Sequence, residues 1–138
     1  MRAPLTIAAL AAITGLGCHF GTRVERFPPA QGPAGVTAVL ERKRPAAPIL
    51  GELLALTDSA LYVLRDGRRV TLVPFRVIRQ GTFERMGDAA VVYEGRTPDA
   101  EILHRLRLVS RFPAGLTPDL LARLLAAYGQ TAADRAEP

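Results

Sequence analysis

The chain reads as α+β: a small, strongly bent antiparallel sheet followed by a C-terminal helix or helical hairpin. Two observations predict this. From Val36 to Phe83 the sequence is a series of short β-rich runs broken by turn residues, among them "RDGR" at 65–68. From Thr97 onward, "TPDAEILHRLRLVSRF" and "TPDLLARLLAAYG" each begin with a helix-start signature and continue with apolar residues at helical spacing.

The elements follow in order. "VTAVLER" gives a first strand, and "ILGELLALT" a second in which Gly51 marks a bend or bulge. "ALYVLR" and "RVTLVPF" form a hairpin, because a tight turn needs the positive φ that Asp66 and Gly67 tolerate. Pro74 breaks the run before "VIRQGTF", and "GDAAVVYEG" supplies one more strand centred on Val91 to Tyr93. Thr97 is the expected cap of a first helix, with Pro98 in its opening turn and a stripe of Ile102, Leu103, Leu106 and Val109. "ILHRLRLVSRF" also alternates, so a strand stays open there. Thr117, Pro118 and Asp119 start a second helix with Leu120, Leu121, Leu124, Leu125 and Tyr128 on one face and Gly129 as its stop. The polar end, 130–138, reads as a disordered tail. The expected organisation is thus 1–17, 18–35, 36–95, 96–129 and 130–138.

The opening stretch carries the clearest functional signal. "LTIAALAAITGLG" precedes the single cysteine, Cys18. A membrane-spanning helix needs roughly 20 apolar residues to cross about 30 Å of hydrocarbon. The 12 residues Leu5 to Leu16 would cover only about 18 Å. Only Thr6 and Thr14 interrupt the run, so it has no polar face to turn outward from a core. A short positive end at Arg2, an apolar segment and small residues instead match a signal peptide over 1–17.

"TGLGC" resembles the lipobox of bacterial lipoproteins, with Gly17 and Cys18 in the matching positions and Gly15 where leucine is usual. The resemblance implies that the Cys18 thiol receives a diacylglycerol, that cleavage falls just before it, and that the protein is held on a membrane facing the periplasm or the cell exterior. Small residues at Gly15 and Gly17 also suit ordinary signal cleavage at the same bond. Several acyl chains at one residue would hold the protein far more firmly than one. The Pro/Gly-rich stretch up to Gly35 then reads as a tether, or as an arm packing Phe20 or Phe27 onto the domain.

"GELLALTDSALYVLRDGRRVTLVPFRVI" resembles an SH3-like or Sm-like barrel: a bent glycine-bearing strand, an Asp58 turn, a strand, a glycine hairpin and another strand. That resemblance implies architecture. Sm-like proteins bind RNA in rings, which gives an alternative reading as a cytoplasmic RNA-binding module.

Catalytic signatures do not accompany these elements. His19 and His104 have no HExxH or HxxxH spacing, and Ser59 and Ser110 lie outside GxSxG. Glu25, Glu41, Glu52 and Asp58 have no spacing that pairs two in one cleft. The expectation is a non-enzymatic adaptor or scaffold with no metal and no cofactor. The chain carries +5, from Lys+Arg 18 against Asp+Glu 13, which favours anionic counterparts. Arg42, Lys43 and Arg44 in one loop, with Arg65, Arg68 and Arg69 around the hairpin, are the candidate anion-binding surface. Aromatic residues make up 6% of the chain and Trp is lacking, so stacking platforms for bases are scarce and nucleic acid is disfavoured. An envelope protein or an anionic polymer is the expected partner, besides the membrane reached through Cys18, and no small-molecule substrate is expected.

Overall fold

The computed structural model describes residues 34–84, 86 and 92–138. The signal-like segment, Cys18 and the tether up to Pro33 lie outside the described residues. Seven strands form one sheet: β1 (Thr37–Arg42), β2 (Ile49–Leu56), β3 (Ala60–Arg65), β4 (Arg69–Pro74), β5 (Ile78–Phe83), β6 (Val92–Tyr93) and β7 (Asp134–Arg135). Their order is β6-β5-β1-β2-β3-β4-β7. A single 3-10 turn, Phe75–Val77, links β4 to β5. The described residues also form two helices, α1 (Ala100–Val109) and α2 (Pro118–Ala127).

The α+β class is thus as the sequence implies, but the sheet does not close into a barrel. β7 occupies the edge of β4, pairing Thr71 with Asp134 and Leu72 with Arg135 in parallel. β6 occupies the edge of β5 at Gln80 and Gly81. With both edges taken at those positions, β4 and β5 are not neighbours in the sheet. The β4–β7 pairing also makes the sheet mixed, where the sequence implied purely antiparallel pairing.

Successive side chains on a strand point to opposite faces, and here both faces are covered. Leu61 and Val63 of β3 join one buried cluster with Leu40, Leu53, Phe75, Ile78 and Leu106. Leu64 of β3 joins a second with Leu54, Val70, Phe112, Leu120 and Leu124, and Tyr62 packs against it. Helix α1 lays Ile102, Leu103, Leu106 and Val109 on the first cluster, while α2 supplies Leu120, Leu124 and Leu125 to the second. The helices therefore cover opposite faces of the sheet, which overturns the helical-hairpin alternative. The link between them carries the chain from one face to the other.

The crossing exploits a β-bulge. The register of β2 against β3 shifts between Leu53 and Ala55, not at Gly51. The freed carbonyls of Leu53 and Leu54 accept hydrogen bonds from the backbone amides of Arg111 (3.0 Å) and Phe112 (2.8 Å). Gly51 has a different role: a Cβ there would stand 2.5 Å from the Leu64 carbonyl oxygen.

The local turn chemistry is clear. Asp66 and Gly67 both take positive φ, 51° and 64°, and the Arg68 amide donates to the Arg65 carbonyl at 2.9 Å. Thr117 caps α2 by accepting from the Leu120 amide at 3.3 Å, with Pro118 in the first turn. The cap of α1 is Asp99, which accepts from the Ile102 amide at 2.9 Å, and not Thr97.

The largest departure lies at 130–138, read from sequence as disordered. Gln130 uses its side-chain amide as a peptide mimic at the edge of β4. Its Oε1 accepts from the Val70 amide at 2.7 Å, and its Nε2 donates to the Val70 carbonyl at 3.1 Å. β7 then extends the pairing, and Arg69 grips Asp134 through two hydrogen bonds of 2.7 and 2.8 Å. A polar segment is ordered here because an open strand edge offers it partners.

Candidate functional site, a cationic groove

The basic residues singled out by sequence are distributed by the fold as follows. Arg42, Lys43 and Arg44 lie at the β1–β2 connection, and Arg65, Arg68 and Arg69 flank the β3–β4 hairpin; both lie at the Ile49 end of β2. Arg42 spends one guanidinium nitrogen on its own loop, donating to the Ala47 carbonyl at 3.0 Å. Arg69 is committed to Asp134. That hydrogen bond holds the Asp134 carboxyl below the ordinary aspartate range, against desolvation, which opposes it, and with lesser help from the charges of Arg69 and Arg65. The same bond raises the Arg69 pKa. Lys43 turns toward Gly95, where an added Cβ would stand 2.4 Å from its Nζ and 2.7 Å from the Arg76 carbonyl oxygen.

Beside Gly95 opens a groove of about 500 Å³. Strand register builds its floor. Tyr62 lies opposite Leu72, and Ala60 opposite Pro74, on adjacent strands, and all four line the groove. Arg135 of β7 is the next residue across from Leu72, so the floor runs directly into a guanidinium. Arg76 enters from the 3-10 turn, while Ser59 and Thr97 supply hydroxyls from the β2–β3 and β6–α1 connections. None of the described residues that line it is acidic. Arg76 and Arg135 have no ion-pair partner among the described residues, although five other arginines do. Ser59 and Thr97 likewise have no side-chain acceptor among the described residues.

Sequence reasoning missed Arg76 and Arg135 because neither stands in a basic run. It found Ser59 and Thr97 but assigned them to a turn and a helix cap. Asp99 takes the capping role, which leaves the Thr97 hydroxyl available to the groove. The signal was in "TPD", where Thr and Asp compete for one cap; the assembly itself depends on β7, which carries no sequence signal of its own.

Elsewhere among the described residues, no group of three or more His, Cys, Asp or Glu side chains could hold a metal ion. No helix among them is long and apolar enough to cross a membrane. No family model, curated protein or solved structure matches the chain.

Proposed function

We propose that the chain is a lipid-anchored envelope protein that works without catalysis, as an adaptor that binds an anionic partner in the groove. The observation that carries the partner side of this reading is the pair Arg76 and Arg135, which among the described residues have no ion pair and share the groove with no acidic lining residue. Guanidinium forks suit carboxylate and phosphate geometry, and an unneutralised pair in a concave site raises the local concentration of anions. The anchor side rests on the apolar run that ends at Gly17 and Cys18. The order of β1 to β5, with the 3-10 turn before β5, supports reading the sheet as an opened form of the SH3-like pattern.

The anchor is tested by metabolic labelling with an alkynyl fatty acid in a bacterial host. The native chain is expected to take up label and sediment with membranes. Cys18→Ser is expected to lose both properties, and label persisting in that variant would sink the anchor. The RNA-binding alternative draws no comparable support, since Arg42 and Arg69 are engaged within the fold.

A further inference from the structure

We propose that the groove is a phosphate site, taking a phosphoryl group carried on a compact polyol or sugar body; this rests on reading the groove as an anion site. Two guanidinium groups line it, Arg76 and Arg135, and the Lys43 Nζ comes up against Gly95, one of its lining residues. A phosphate monoester carries about −1.5 to −2 charges and three acceptor oxygens, whereas a carboxylate carries one charge and two oxygens. The donors exceed what one carboxylate can accept. Beyond the two guanidinium forks, the hydroxyls of Ser59 and Thr97 face the same space.

The remaining surface fits the body of such a ligand. The cross-strand pairs Tyr62–Leu72 and Ala60–Pro74 present an aromatic ring and apolar faces for the C–H surface of a polyol or sugar. A volume of about 500 Å³ falls within the roughly 300–1,000 Å³ typical of small-ligand sites. Gly95 adopts a φ of 74°, and a side chain there would meet the Lys43 Nζ and the Arg76 carbonyl oxygen. The glycine thus leaves room for the Lys43 ammonium beside a lining residue of the groove.

The test is an amide-shift titration of the full-length, isotope-labelled chain in neutral detergent micelles. The probes are glycerol 3-phosphate, inorganic phosphate, glutarate and phosphatidic acid added to the micelles. Glycerol 3-phosphate is expected to move the amides of Ser59, Gly95, Thr97 and Arg135 saturably. Arg76→Ala and Arg135→Ala should each weaken that binding about tenfold or more, as expected when a charge-assisted pair is removed. Arg123→Ala, on α2 away from the groove, should leave it unchanged, and Thr97→Ala provides a second variant whose fold does not depend on the residue altered. Movement of the same amides by phosphatidic acid, a membrane phosphate monoester, and not by the soluble phosphates would support the phosphate site and assign its source to a lipid headgroup. Movement by glutarate alone would overturn the phosphate assignment while leaving the anion groove standing. If no probe moves these amides, both fall.

Discussion

Glu52 accepts two hydrogen bonds from the Arg111 guanidinium, one of them at 2.7 Å, and a third from the Gly35 amide at 2.6 Å. The two side chains are only 17% and 12% exposed. One carboxylate therefore fastens three segments: the beginning of β1, the strand β2 and the crossing that follows α1. Removing it strands a guanidinium whose Nη1 already has no partner. Glu52→Ala should cost about 2–3 kcal/mol in urea unfolding, less than the ~3–5 kcal/mol of a fully buried pair because some solvent reaches it. Asp134 gives a pH prediction. Its folded pKa is lowered by the Arg69 hydrogen bond, so its stabilising effect is present above the unfolded aspartate value, near ~3.9, and fades as pH falls through the lower folded value. The protection factor of the Ala136 amide, which donates to the Leu72 carbonyl at 2.9 Å, should fall across that acid window, its exchange being compared with that of an unprotected peptide at the same pH. In Asp134→Asn the acid dependence should vanish. Neither pair was legible in the sequence, since its partners lie 59 and 65 residues apart.

At the level of the element, legibility followed the range of the interaction. The hairpin at Asp66 and Gly67 and the start of α2 at Thr117 are specified by adjacent residues competing for backbone groups, and both stand where the sequence put them. The start of α1 was displaced by one short step, from Thr97 to Asp99. Asp99→Ala should therefore cost about 1 kcal/mol of stability, whereas Thr97→Ala should change it by no more than about 0.5 kcal/mol; thermal unfolding of both variants decides the cap. The bulge in β2 was legible only as a bend, because its position depends on Arg111 and Phe112 arriving from far along the chain to take the Leu53 and Leu54 carbonyls. Gln130 makes the same point. Gln130→Ala leaves the buried Val70 peptide without its partners and should destabilise by about 1–3 kcal/mol, read from the denaturant midpoint.

Across the whole molecule, the two buried clusters share β2, β3 and β4, so the domain should unfold as one unit. Alternating apolar runs made a small β-rich body evident, but they could not distinguish a closed sheet from an open one. That outcome depends on which segment reaches the β4 edge first, and the winner is a polar stretch with no hydrophobic signature. A chain ended after Gly129 should lose stability, and its bare β4 edge should drive self-association visible by size-exclusion chromatography. The groove loses Arg135, one of its two lining guanidinium groups, with it.

The distance along the chain between Arg69 and Asp134, 65 residues, also sets a schedule. Sheet assembly cannot be completed until residues 130 to 136 have been made, so β7 is the last strand a growing chain can add, at the edge of β4.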